Sequence, residues 1–343
     1  MIYAAAHSLG PSSVEVVDAI AAAVDYWRDR LVDGWDEWLD LACRVGDRLG
    51  GALLGAGAGQ VVVGDSTSVN IYKLASAALD ARPGRRAIVI GDDEFPTDRY
   101  VLQGIAAARG LDIRTQIDGD TALVCRSLVD FRTSALADLN AVTAVAHDAG
   151  ALMLWDVSHA AGIVPVALDA ADVDLAVGCT YKWLGAGPGA PAFLYVRSDL
   201  QSTMRQPIWG WFGQRDQFAM GPAYDPEPDI RRYQAGTPPI LGLAAVEAAV
   251  GRVAAVGIDT VRATSLELTQ AFIDRVPADH VVTPPTRGGH VAVRSDDAAG
   301  ARDQLAEAGV VVDIRGDLVR FGFAPLDTTA ADVAAVTELL ASG

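Results

Sequence analysis

The sequence predicts an α/β fold, with a large domain built on a mostly parallel sheet covered by helices and a small α+β domain at the C-terminal end. Three observations predict it. Between about residues 60 and 200, short apolar runs alternate with helical stretches, as strands buried on both faces do. From 207 to 239 the alternation stops, and the chain becomes rich in proline, glycine and aromatics. The remainder reads as a long helical stretch followed by strands and helices in mixed order.

Each element follows from its pattern. Residues 61–63 are an apolar run, and an Ala-rich helical stretch covers 66–79. A strand at 87–90 precedes a helix near 99–108, and a strand at 123–125 precedes a helix over 135–149. Apolar strands follow at 151–156, 174–180 and 191–196. Apolar residues at helical spacing predict a long helix over 241–276, with Gly257 as its expected break. The end reads strand 290–294, helix 297–308, strands 310–314 and 318–323, and helix 329–340. The expected division is an N-terminal segment (1–50) serving the active site and small domain, a large domain (51–250) and a small domain (251–343).

Composition narrows the function. The chain has 343 residues, of which 51% are hydrophobic and 21% charged, enough to bury a large core. A net charge of −17 repels nucleic acid and anionic membranes, so neither is expected as a partner. The N-terminus lacks a basic region followed by an apolar run, and no apolar stretch has membrane-spanning length, so a cytoplasmic protein is expected. Cys43, Cys125 and Cys179 are far apart, which argues against a disulfide framework and makes the last two buried thiols. The five histidines show no metal-ligand spacing.

Two residues suggest chemistry. Asp156 ends an apolar strand and opens Asp156-Val157-Ser158-His159, and the next strand leads to Thr180-Tyr181-Lys182. In an open parallel sheet, ligand groups collect at such strand ends. A carboxylate and a lysine placed there suit pyridoxal-5′-phosphate (PLP): the acid keeps the pyridine nitrogen protonated and the lysine forms a Schiff base. An ion pair closing the sheet would use the same spacing. The stretch 65–70 places hydroxyls before a helix, fit for phosphate or for ordinary N-capping. The glycines of 185–190 match a dinucleotide pattern but lead into a strand, so they read as a tight turn near a ligand.

In combination these stretches resemble the kynureninases, class V members of the fold-type I PLP enzymes with the aspartate-aminotransferase-like fold. The resemblance runs from His7-Ser8-Leu9-Gly10-Pro11 to Arg320-Phe321-Gly322-Phe323-Ala324-Pro325-Leu326. Between them lie Phe95-Pro96-Thr97-Asp98, Trp155 to His159, Thr180 to Leu184, Gly210-Trp211-Phe212-Gly213, Gly236-Thr237-Pro238-Pro239 and Arg287-Gly288-Gly289-His290. The resemblance implies a seven-stranded sheet and a homodimer. It implies that Lys182 carries the cofactor, that Asp156 pairs with the pyridine nitrogen, and that His159 sits beside it. Phe95 would stack on the ring, with Asp98 and Ser127 as further contacts. Thr67, Ser68, Tyr181 and Trp211 would hold the phosphate, and Thr237 would reach in from the second subunit. Arg320 would clamp the substrate α-carboxylate, with His7, Ser8 and Trp35 near the substrate. Tyr181 is the expected proton donor, beside Lys182 and Asp156 as the catalytic groups.

The implied reaction is hydrolysis of the Cβ–Cγ bond of L-kynurenine, or a related 2-amino-4-oxo acid, to an aryl acid and L-alanine. Some positions depart from the resemblance. The family's entry motif Asp-Gly-Asn-Ser-Leu-Gly is here Ala5-Ala6-His7-Ser8-Leu9-Gly10, and Leu128-Val129-Asp130-Phe131 is also altered. These edits leave open a PLP tailoring enzyme acting by elimination, desulfuration or transamination, and a non-catalytic scaffold. No cysteine follows His290 where a desulfurase places its nucleophile.

Overall fold

The computed structural model describes residues 1–342. The chain opens with β1 (Ile2–Tyr3), α1 (Val14–Arg30), α2 (Trp35–Trp38) and α3 (Leu41–Leu49). The central sheet contains β2 (Val61–Val63), β3 (Ala87–Ile90), β4 (Asp112–Arg114), β5 (Thr121–Ser127), β6 (Leu152–Asp156), β7 (Leu175–Gly178) and β8 (Phe193–Val196). Its order is β2-β8-β7-β6-β5-β3-β4. β8 runs antiparallel to both neighbours and the other pairings are parallel. Every residue of β2, β3, β6, β7 and β8 is buried, which is why these strands are apolar runs and not alternating ones.

α4 (Thr67–Asp80), α5 (Pro96–Arg109) and α6 (Leu139–Asp148) connect the strands. α6 starts four residues later than the spacing predicts. The Asp138 side chain caps it by accepting from the Ala141 N–H at 2.9 Å, while Ala135 and Leu136 pair as β-bridges. α7 (Ser198–Gln201) closes the sheet region, and α8 (Ile240–Val256) and α9 (Ile258–Ile273) follow. Gly257 separates these two, as expected; its φ of 88° lies where side chains are strained, and the helices meet at 80°. Among the described residues no single helix is long and apolar enough to cross a membrane.

β9 (Val291–Arg294), α10 (Ala298–Glu307), β10 (Val310–Val311), β11 (Asp313–Arg315), β12 (Leu318–Phe321) and α11 (Ala330–Ser342) complete the chain. The predicted strand 310–314 is two strands. β10 pairs in parallel with β1, whereas β11 and β9 pair antiparallel with β12. A second apolar cluster forms here around Phe272, with the Phe321 ring at 4.5 Å and the Phe323 ring at 5.6 Å. Ala4 of the N-terminal segment belongs to this cluster, and Ala5 bridges Gly322. The start of the chain is therefore laid along the end of β12, which delivers His7 and Ser8 to Arg320.

Candidate active site

The site forms at the C-terminal ends of β5, β6 and β7. Register places Ser127 beside Asp156 and Asp156 beside Val177, just ahead of Lys182. The Ser158 N–H donates to Asp156 Oδ1 at 2.8 Å and orients the carboxylate. Pro96 at the first turn of α5 presets the helix start, which sets Asp98 against Asp156. Asp98 is almost fully buried, and its Oδ2 has no hydrogen-bond partner among the described residues. Burial first, then the Asp156 charge, push its carboxyl up to about 9. Glu94 is also raised by burial, and accepts from the Ser127 N–H at 2.9 Å. This carboxylate patch calls for a cationic N–H donor.

Asp98 makes a pH prediction. Unfolded, it ionises near about pH 4; folded, it keeps its proton to about 9. Between those values the native state holds the extra proton, so its stabilisation is complete at low pH and is lost as pH rises toward about 9. The melting temperature of wild-type apoprotein is expected to fall, relative to Asp98→Asn, as pH rises through this window. Parallel curves for the two proteins would contradict it.

Lys182 Nζ lies 2.9 Å from His159 Nε2 and 5.7 Å from the centre of the Phe95 ring. Burial, then Lys182, hold the His159 pKa well down, so this imidazole is neutral and accepts from the ammonium. Phe95 packs edge-on against Phe131 at 5.3 Å. Gly10 donates its N–H to the Tyr181 carbonyl at 2.8 Å, and a Cβ there would collide with the Lys182 carbonyl. The Tyr181 phenol is raised by burial and by Cys179, which keeps its proton available.

Arg320 faces this group from the small sheet and is almost fully buried. It donates to the Phe131 carbonyl, to Asp313 and, at 3.1 Å, to Ser8 Oγ, while its Nε has no partner among the described residues. Burial lowers its pKa to about 10 even against the Asp313 charge. Asp313 sits directly opposite Arg320 on the paired strand and also binds exposed Arg315 at 2.7 Å. His7 lies beside Arg320 and stacks on His290 with ring centres 4.8 Å apart.

Three expected residues stay outside this group. Trp35 and Trp211 pack edge-on against each other at 5.9 Å, and Thr237 lines a separate cavity of about 130 Å³ with Asp65 and Asn70. Thr67 and Ser68 are half-buried at the start of α4, where Ser66 Oγ accepts only from the Val69 N–H at 3.3 Å. A larger cavity of about 800 Å³ lies between α1, α3 and α8 and shares no residue with the lysine group. Glu94, Asp313 and His290 were missed as site residues by sequence reasoning. His290 ends a motif that already stood out, and Asp313 would follow from a β11–β12 hairpin drawn in register. Glu94 carries no signal beyond its place before Phe95.

Two family descriptions match the chain: the class-V aminotransferases over residues 104–297, and the kynureninase C-terminal domain over residues 261–340. The kynureninase of Pseudomonas fluorescens is 39% identical, over 99% of this chain and 88% of that one. The chain belongs to the kynureninase family. The kynureninase of Deinococcus radiodurans is also 39% identical, over 97% of this chain and 87% of its own. Two solved structures show the same fold. They are the apo cysteine desulfurase of Thermococcus onnurineus NA1 (TM-score 0.84, 19% identity, 99% and 94% coverage) and the cystine C–S lyase C-DES with cysteine persulfide (0.86, 17%, 99% and 97%). The mostly parallel seven-stranded sheet of this kynureninase-family chain is thus the class-V fold expected from its sequence.

Proposed function

We propose that the protein is a PLP-dependent hydrolase that uses water to split the Cβ–Cγ bond of L-kynurenine, giving anthranilate and L-alanine, a step of tryptophan catabolism. The observation that carries this reading is the convergence of Lys182, Asp156 and Arg320 in one buried site, on a chain 39% identical to a kynureninase over nearly its whole length.

The residues fit the cofactor. Asp156 and Asp98 form no salt bridge among the described residues and would hold the protonated pyridine nitrogen. Lys182 supplies the amine, Phe95 a ring face, and Thr67 and Ser68 a helix start for the phosphate. When bound, PLP withdraws electrons from Cα, which makes the neighbouring bonds labile. The protein's groups do the rest. Arg320 binds the α-carboxylate and Ser8 steadies it by accepting from the guanidinium. Lys182 removes the Cα proton, and neutral His159 accepts a hydrogen bond from its Nζ, which orients the amine. Tyr181, held as the phenol, donates the proton that completes alanine.

Trp35, Trp211 and Thr237 act across the interface of a homodimer, which accounts for their separation from Lys182 within one chain. The three unpaired cysteines suit the cytoplasm, which cell fractionation checks. Holoenzyme given L-kynurenine and 3-hydroxykynurenine is expected to release alanine with anthranilate or its 3-hydroxy form, read by mass, and to sediment as a dimer. A preparation that holds PLP but yields no alanine from either sinks the reaction. An active monomer sinks the shared site.

A further inference from the structure

Three of the five histidines lie in this site, and only His159 has an evident partner. His7 and His290 are wholly buried, and neither ring nitrogen of either makes a hydrogen bond of acceptable geometry; the Arg132 carbonyl approaches His290 without closing one. His159 Nδ1 is unpartnered too. Five buried nitrogens without protein partners among the described residues call for a ligand that supplies them. The surroundings nevertheless hold the rings in place. His7 fills the space over Gly322, where a Cβ would collide with its Nδ1, and stacks on His290 with planes 19° apart. The His290 backbone N–H donates to Ser134 Oγ at 3.3 Å, and Trp183 lies 6.3 Å from His7. The rings span the site: His290 is 5.7 Å from His159, which touches Lys182, and His7 Nε2 is 3.9 Å from Asp313, which pairs with Arg320.

We infer that His7 and His290 form an uncharged hydrogen-bonding wall that receives the aryl-ketone side chain of the substrate, binding its γ-oxygen and the adjacent ring amine. An α-amino acid held by its amine at Lys182 and its carboxylate at Arg320 lies alongside these rings. A neutral imidazole offers one N–H donor and one acceptor nitrogen. A ketone oxygen flanked by an aromatic amine needs both. Burial and the neighbouring Arg320 charge keep both rings neutral, with His290 lowered to about 3 and His7 well below its usual range. A side chain ending in a carboxylate would meet two uncharged rings here, with Arg320 already bound to Asp313. The wall therefore selects 2-amino-4-oxo acids with an uncharged aryl group over aspartate-like acids. His7 and His290 are specificity residues, and the inference rests on the hydrolase reading above.

The test compares two ligands on holoenzyme. L-Alanine carries the amine and carboxylate but no aryl ketone, and its binding is read from the visible spectrum. 4-(2-Aminophenyl)-4-oxobutanoate carries the carboxylate, ketone and ring amine but cannot react with Lys182, and its binding is read by calorimetry. His7→Phe and His290→Phe keep the rings and remove the nitrogens. Each is expected to weaken the aryl ketone by roughly ten-fold or more, while L-alanine stays within about two-fold. His290→Gln, which restores a donor and an acceptor, is expected to recover part of the loss. Kynurenine kcat/KM should fall in the same order. Equal losses for both ligands would show a structural role only, and unchanged aryl-ketone binding would remove the wall; either overturns the inference. Wild-type protein that binds L-alanine but neither binds the aryl ketone nor cleaves kynurenine overturns the hydrolase reading and the wall together. Wild-type turnover with unaffected variants overturns the wall alone.

Discussion

Lys182→Ala is expected to abolish turnover, by about 10⁴-fold or more, because the proposed function makes the residue both the cofactor's anchor and the base at Cα. The chain has only two lysines, Lys73 and Lys182, so labelling gives a two-way answer. Reduction of the yellow holoenzyme with borohydride, followed by peptide mapping, is expected to place pyridoxyl on Lys182 alone. Lys73 is wholly buried in α4, where its Nζ donates to Asp65 at 2.5 Å and to the Tyr233 carbonyl at 2.7 Å. Those bonds tie α4 to the segment near Tyr233 and leave the amine no route to a ligand. Lys182 instead points at a neutral imidazole and a ring face, with buried carboxylates behind them. Lys73→Ala is the control: it is expected to lower the melting temperature while the surviving folded enzyme keeps its label. Pyridoxyl on Lys73, or none on either lysine, would overturn the assignment.

Arg320→Ala is expected to raise KM and to cut kcat/KM by roughly ten- to a hundred-fold, with the cofactor's absorption intact. A charge-assisted pair with the substrate carboxylate contributes about 1.5–3 kcal/mol, which sets that range. Loss of orientation at Cα is expected to lower kcat as well. Arg315 is the competing candidate. It is largely exposed and binds Asp313 from outside, so Arg315→Ala is expected to change kcat/KM by no more than about three-fold. Asp313 complicates the clamp, because it already occupies one face of the guanidinium. In the proposed function, substrate shares Arg320 with Asp313 or approaches its Nε, which has no partner among the described residues. If Arg315→Ala proves the more damaging change, the carboxylate binds at the outer arginine.

Much of the fold was legible because burial on both faces leaves a plain mark in an α/β sheet. β2, β3, β6 and β8 coincide closely with their apolar runs, and Gly257 marks the break between α8 and α9. The N-terminal helices and β1 left weaker marks. α1 has one fully buried residue, Val16, so it carries no strong apolar stripe. β1 is two residues long and is stable only through its pairing with β10. The split of 310–314 was equally hidden, since a run of valines pairs as readily with one strand as with another.

The chain by itself determined the family and the residues on which the proposed chemistry rests. Lys182, Asp156, Phe95 and Arg320 stand in motifs whose order along the sequence already points to one family, and the strand ends bring the first two together. What only the tertiary structure decided is which charges and rings meet across domains. Asp98 meets Asp156 because α5 returns over the sheet, and the Asp98 carboxyl is raised only once burial removes the water that would separate the two charges. Asp313 meets Arg320 through strand register, a one-residue property that composition does not carry. His7 and His290 are 283 positions apart along the chain, yet they stack because β1 lies along the small domain and Gly322 leaves room for a ring. Sequence motifs record local chemistry, whereas the cost of an unpaired charge or an unpartnered nitrogen arises only where distant segments exclude water together.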